Sequence, residues 1–304
     1  MAPLLWQKGA DTPQWPRGAF MSHPSFYPGL AALADRYDAF IVDLWGVMHD
    51  GIAAFPDAVA ALEALKAAGK RSVILSNAPR RVDVIVARNA ELGIDPKLPD
   101  ALMSSGEDAW RHLSQRRDPW YRALGRRCYH PGPERDHGMR EGLDLDFVDS
   151  LEQADFILNT GNLSPLDSVE TYDAFIHEAL ALGLPMICTN PDLVVVRGGK
   201  REICAGAIAL EFEQRGGEVR WHGKPHPEVY RTCFGLLPGI APARIAAIGD
   251  SLRTDVAGAA AAGIDCIFVA AGIHGEEFLV AGDEAGKTVH IRLDYIDSCK
   301  PVTE

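Results

Sequence analysis

Short apolar runs and amphipathic stretches alternate along most of this chain. Residues 40–42 (Phe-Ile-Val) form a run without a polar position, the pattern of a strand covered on both faces. Between Pro56 and Gly69 the period changes: Val59, Leu62 and Leu65 fall on one side of a helix that starts with proline and stops at glycine. Residues 72–75 read as a strand again. Strand, helix and strand in this order predict a βαβ unit with parallel pairing. The alternation returns near the C-terminus, with strands predicted over 219–222, 245–248 and 266–269 and helices over 227–234 and 252–262. The fold class this predicts is α/β, a Rossmann-like parallel-sheet core with right-handed crossovers.

The segment from Ser76 to Lys224 is too long for one crossover and carries its own periodicity. Strands are predicted over 126–130, 156–160 and 185–189. Ser164-Pro165 has the N-cap and N1 chemistry of a helix start, followed by a stripe of Val169, Tyr172, Ile176 and Leu180. Val194 to Val196 and 201–204 flank Gly198-Gly199 as a hairpin would. An inserted α/β module is therefore expected over 84–217. It would interrupt a core made of 36–83 and 218–304, with 1–35 as an N-terminal extension. Residues 1–20 lack the apolar centre of a signal peptide. They are expected to be disordered, or to lie upstream of a true start at Met21.

Composition narrows the partners. The 304 residues are 47% hydrophobic and 24% charged, ordinary globular material with ample length for a core. Lys and Arg number 30 against 42 Asp and Glu, a formal charge of −12. This balance offers no basic stripe for nucleic acid or an anionic membrane surface. The one basic concentration, from Arg111 to Arg127, reads as a solvated helix face. No apolar run approaches the roughly 18 residues of a membrane span. The six cysteines form no C-x-x-C or zinc spacing, so reduced core residues of a cytoplasmic protein are expected.

Four predicted strands end in polar groups. Asp43 follows the first, Ser76-Asn77 the second, Lys224 in Gly-Lys-Pro the strand at 219–222, and Gly249-Asp250-Ser251 the strand at 245–248, with Asp255 just beyond. Ligands of open α/β sheets sit at such carboxyl ends. A carboxylate nucleophile, a hydroxyl beside exposed backbone N–H groups, a lysine and a carboxylate pair together suit phosphoryl transfer through an aspartyl-phosphate. Asp250 and Asp255 would lie near one cation, and Mg²⁺ favours oxygen ligands of this kind.

In these four motifs, in their order, the chain resembles hydrolases of the haloacid dehalogenase (HAD) superfamily, subfamily IIA, the NagD-like and 4-nitrophenylphosphatase-like phosphatases. The resemblance runs from about Tyr37 to about Val269. It includes Asp50-Gly51, Met103-Ser104-Ser105-Gly106-Glu107, Thr189-Asn190-Pro191-Asp192 and Cys204-Ala205-Gly206-Ala207. It implies that the inserted module is a C2-type cap and that the activity is a Mg²⁺-dependent phosphatase acting on a small phosphorylated metabolite. It implies Asp43 as nucleophile and Mg²⁺ ligand, Ser76, Asn77 and Lys224 around the phosphate, and Asp250 and Asp255 on the metal. Asn190 and Asp192 are expected on a cap loop facing the site. A homo-oligomer is compatible with the sequence, which specifies no oligomeric state.

One position departs from the family. Its first motif is Asp-x-Asp, and the second Asp is replaced by Trp45. The resemblance implies that the Trp45 carbonyl would still serve as a Mg²⁺ ligand, but an indole has no titratable proton to give a leaving group. His49 and Asp50 on the same loop, and His222 and His226 around Lys224, are the available substitutes. Two alternatives stay open on this substitution: a catalytically weak relative that binds a phosphometabolite, and a dehalogenase-type hydrolase.

Overall fold

The computed structural model describes residues 26–27, 29–197, 200–269 and 291–292. The expectations for 1–20, for the Gly198-Gly199 turn and for Cys299 lie outside the described residues. In chain order the strands are β1 (Phe26–Tyr27), β2 (Ala39–Val42), β3 (Arg71–Ser76), β4 (Ala101–Ser104), β5 (Arg127–Tyr129), β6 (Asp146–Val148), β7 (Phe156–Asn159), β8 (Met186–Cys188), β9 (Val194–Arg197), β10 (Lys200–Ile203), β11 (Val219–Trp221), β12 (Ile245–Gly249), β13 (Asp265–Val269) and β14 (Ile291–Arg292). The α-helices are α1 (Pro56–Ala67), α2 (Val82–Glu91), α3 (Ser105–Gln115), α4 (Pro119–Ala123), α5 (Asp173–Ala181), α6 (Ala205–Gln214), α7 (Pro227–Gly235) and α8 (Ala257–Ala262).

A seven-stranded sheet runs β1-β14-β13-β12-β2-β3-β4. From β13 to β4 every pairing is parallel, and the two antiparallel pairings close one edge. Helices cover both faces of β2, β3, β12 and β13. Leu62 and Leu65 of α1 and Ile85 of α2 bury against Phe40, Val42 and Ile74 on one face. Val229, Tyr230 and Cys233 of α7 and Ala259 of α8 bury against Ile41, Val73 and Ala247 on the other.

A second sheet, β11-β8-β7-β5-β6, is likewise parallel and sandwiched. Ile176 of α5 and Ile208 of α6 cover one face, and Ala109 and Leu113 of α3 with Tyr121 of α4 cover the other. The predicted hairpin is β9–β10, antiparallel with Val194 opposite Ile203. The five described cysteines are buried. No helix among the described residues is long and apolar enough to cross a membrane.

Sheet membership corrects the boundaries expected at 84 and 218. α2 packs on the large sheet and β4 pairs with β3, so the large-sheet unit continues through Ser104. β11 pairs with Met186–Cys188, so it is an edge strand of the inserted sheet rather than a core strand. Ala-Leu-Met-Ser and Val-Arg-Trp are too short for their apolar pattern to say which sheet they join. A second correction concerns Ser164-Pro165. Ser168 caps a 3₁₀ turn with Thr171 closing the box, and α5 starts only at Asp173. The stretch predicted as one helix over 252–262 begins as a single π-turn, Leu252–Val256, and becomes α8 afterwards.

One buried histidine of the inserted unit makes stability depend on pH. His130 accepts the Arg140 Nε–H at Nδ1, 2.9 Å away, and its Nε2 lies 3.1 Å from Thr160 Oγ1. Burial, then Arg140, lowers its pKa from 6.5 to about 3. Above pH 6.5 neither folded nor unfolded chain protonates this ring. Below it the unfolded chain takes a proton that the folded site refuses, so stability is lost as pH falls from 6.5 toward 3. Urea unfolding of wild type and His130→Gln between pH 7 and 4 should show a steeper acid loss in the wild type. Parallel curves would remove His130 as the cause.

Candidate active site

The site is built where adjacent strands end. Val42 of β2 pairs with Ile248 of β12, and the Asp43 N–H donates to the Ile248 carbonyl at 2.8 Å. Asp43 and Asp250 therefore leave the sheet side by side. Ser251 caps the π-turn by accepting the Thr254 N–H, and the wide turn brings the Asp255 carboxylate back to the Ser251 N–H at 3.2 Å. Such π-turns are costly and occur disproportionately at functional sites. The result is three carboxylates, Asp43, Asp250 and Asp255, whose candidate ligand oxygens all lie within 4.8 Å of one another.

Lys224 enters this cluster from the loop after β11. Its Nζ donates to Asp43 Oδ1 at 2.5 Å and to Asp255 Oδ1 at 2.8 Å, and the residue is 3% exposed. Burial opposes the ammonium charge, but Asp255 and Asp43 outweigh it and keep the lysine protonated. Burial, then repulsion from Asp255, pushes the Asp43 carboxyl well above the usual carboxylate range. Three carboxyl groups crowd around one lysine in a buried place. A divalent cation held by oxygen ligands would relieve the repulsion among them, so the residues present fit Mg²⁺. Gly46 carries the same constraint: its φ is +81°, and a Cβ there would stand 2.1 Å from Asp250 Oδ2.

The second strand end contributes differently from its residue types. Ser76 Oγ accepts the Ala78 N–H at 3.2 Å, which leaves its own hydrogen to donate. Asn77 is a brace: its amide donates to Asp192 Oδ1 and to the Lys224 carbonyl, and its oxygen accepts the Lys224 N–H at 2.8 Å. Asp192 thus stands against the Lys224 loop, with its carboxyl raised above the ordinary range by burial. Asn190 shapes the turn, its Oδ1 accepting the Asp192 N–H at 3.0 Å.

The four substitutes considered for the missing acid hold other positions. Asp50 Oδ1 accepts from Ile52 and Ala53, an exposed turn whose backbone bonds lower its pKa. His49 is buried, accepts the Gly51 N–H at Nδ1, and has its pKa lowered to about 4 by burial, so it is neutral at pH 7. His222 is engaged at both nitrogens by Asp108 and Tyr121. His226 stacks on Trp221. The Trp45 ring lies edge-on to His49, at 5.3 Å between centroids. Its benzo carbons also touch Gly51, where an added Cβ would come within 2.2 Å. The indole therefore pins the loop that follows Asp43.

Arg253, unremarked in the sequence, donates to the Pro191 carbonyl at 2.7 Å and ties the Asp250 loop to the inserted unit. Arg80 pairs with the buried Asp136 across the same seam at 2.7 Å. Only its place within Gly-Asp-Ser-Leu-Arg-Thr-Asp could have marked Arg253 beforehand.

A model of the haloacid dehalogenase-like hydrolase family matches residues 40–145, and a second HAD-hydrolase-like model matches 221–295. A haloacid dehalogenase-like hydrolase from Brucella suis 1330 is 34% identical in sequence. Its structure superposes with a TM-score of 0.75 over 84% of this chain and 93% of its own. The chain belongs to the haloacid dehalogenase-like hydrolases, in the NagD-like subfamily IIA. The ribonucleotide monophosphatase NagD of Escherichia coli K12 is 27% identical over 242 residues, 77% of this chain and 87% of that protein. The 4-nitrophenylphosphatase of Thermotoga maritima is 26% identical, with a TM-score of 0.64 over 89% of this chain and 99% of its own.

Proposed function

We propose that this HAD hydrolase is a Mg²⁺-dependent phosphatase that cleaves a small phosphomonoester through an aspartyl-phosphate on Asp43. The observation that carries the reading is the trio Asp43, Asp250 and Asp255 with Lys224 donating to two of them. Phosphatase names among the relatives support it. Asp43, Asp250 and the Trp45 carbonyl would hold Mg²⁺, with Asp255 ligating directly or through water. Bound there, the ion would neutralise charge on the phosphoryl oxygens.

Asp43 attacks phosphorus, the ester oxygen leaves, and a water then releases phosphate from the carboxylate. Lys224 offsets charge on Asp43 and the transferring group. The Ser76 hydroxyl and the backbone N–H groups beside it are placed to receive phosphoryl oxygens. Asn77 keeps Asp192 and Lys224 in register, so the cap loop and the phosphate site move together. Asn190 acts through Asp192. The cap would exclude water and supply the contacts that select the organic half of the substrate.

Turnover on a panel of aryl, acyl and alkyl phosphates and haloacids, with Mg²⁺ and after chelation, tests this reading. Phosphate release that requires Mg²⁺ is expected. Halide release independent of metal would instead make the chain a dehalogenase, and binding without turnover a silent relative.

Metal binding has its own test. Calorimetry should detect Mg²⁺ in the wild type and lose it in Asp250→Ala. Gly46→Ala should weaken it as well, because the new methyl displaces Asp250. Equal affinity in all three proteins would remove Asp250 from the metal site.

A further inference from the structure

Behind the Lys224 loop lies a polar cluster that phosphoryl transfer does not use. Asp108 and His112 sit one turn apart on α3, the spacing that stacks two side chains on one helix face. His222 reaches them from just past β11, two residues before Lys224. The candidate ligand atoms of these three side chains all lie within 4.8 Å of one another. Asp108 and His222 are each 4% exposed, and His222 Nδ1 is 2.6 Å from Asp108 Oδ2. The His112 ring, less buried, has its centroid 5.2 Å from that of His222. The other His222 nitrogen, Nε2, meets the Tyr121 hydroxyl.

We propose that Asp108, His112 and His222 form a second divalent-metal site, one that takes Zn²⁺ or a similar borderline ion and leaves one coordination position open. Two imidazoles and a carboxylate are a donor set that zinc accepts with three protein ligands. Mg²⁺ prefers an all-oxygen shell, so the two sites of this chain sort their ions by donor type. Bonds of about 2.0 Å in a tetrahedron set ligand atoms roughly 3.3 Å apart. The 2.6 Å pair of Asp108 and His222 must therefore open by less than 1 Å, a change that a small Asp108 side-chain rotation can provide.

The ion takes the place of the proton between that oxygen and that nitrogen, and in the neutral ring this proton passes to Nε2, so binding switches the tautomer and releases no net proton. His222 Nε2–H then donates to Tyr121 Oη, the outer hydrogen bond that fixes the tautomer and orientation of a ligating histidine. Burial, then the Asp108 charge, keeps Tyr121 a neutral phenol suited to this role. His112 is the more exposed ligand and marks the side from which an ion enters. The bound ion joins a cap helix to the strand end that leads into Lys224, so its occupancy stiffens that loop.

The test uses the full chain, stripped of metal and then held in saturating Mg²⁺. Zn²⁺ is titrated by calorimetry and Co²⁺ by visible absorption. One equivalent of each is expected, with the absorption of a four-coordinate ion for Co²⁺. His112→Ala and Asp108→Asn should each lower the affinity by roughly 10-fold or more. His112→Gln, with a native circular dichroism spectrum, guards against loss through misfolding. Asp250→Ala should bind as the wild type does. Affinity unchanged in the His112 and Asp108 variants overturns the proposal. Binding that disappears in Asp250→Ala and persists in His112→Ala overturns it equally, because the ion then sits with the carboxylates beside Lys224.

Discussion

Asp43→Asn is expected to abolish phosphate release while the chain stays folded. The carboxamide is a far weaker nucleophile, and in the proposed mechanism Asp250 and Asp255 would be taken up by the cation rather than free to replace it. The loss should be on the order of 10⁶-fold, the scale reached when a covalent nucleophile is removed from an enzyme built around it. Folding should survive for an electrostatic reason. Asp43 is one of three crowded carboxylates, and burial and repulsion already push its carboxyl toward the neutral form. A neutral isostere relieves that crowding, and Lys224 keeps its 2.8 Å partner in Asp255. Phosphate release should be measured beside thermal melting and circular dichroism. Turnover near the wild-type rate in a natively folded variant would take Asp43 out of the mechanism.

Much of this site was legible before any coordinates, because the chemistry sits at strand ends and strand ends are what an apolar run displays. Asp43 and Asp250 each follow such a run directly, and the sheet order puts β2 beside β12 so that the two emerge together. The role of Asn77 was not legible. A Ser-Asn pair before proline looks like turn chemistry, and nothing local says that the amide will bridge Asp192 and Lys224, residues far along the chain. The same holds for Asp108, His112 and His222. Helical spacing relates the first two, but only the fold of the cap brings the third to them.

Boundaries were legible only where elements are long. α1 announces itself with Pro56, Asp57 and Lys66 at its ends and Leu62 and Leu65 on its buried side. β4 and β11 are three or four residues each, and their sheet is decided by partners rather than by composition. The π-turn at 252–256 was invisible for a related reason. Its residues run straight into the Ala-rich stretch of α8, and the extra width goes with the bond from the Ser251 N–H to the Asp255 carboxylate.

Trp45→Asp is the substitution expected to increase activity, and its size depends on the leaving group. With no titratable proton two residues beyond Asp43, the wild type should favour nitrophenyl and acyl phosphates, whose leaving groups depart without protonation, over alkyl phosphates. The structure strengthens this expectation, because three of the four substitute acids are otherwise engaged. His49 is neutral with its Nδ1 occupied, Asp50 caps its own turn, and His222 is held on both sides. An aspartate at 45 supplies the missing general acid and base, worth roughly 10²–10⁴-fold on alkyl phosphates. Two losses work against the gain. The indole packs on Gly51 and against His49, so its removal leaves a cavity and frees the loop after the nucleophile. The gain on alkyl phosphates should therefore fall short of the full range, while aryl phosphate turnover changes little or declines. Rates for both substrate classes should be compared in wild type, Trp45→Asp, His49→Ala and Asp50→Asn. Brisk alkyl phosphate turnover in the wild type, stopped by one of the last two substitutions, would identify a working acid on this loop and show that Trp45 is no handicap.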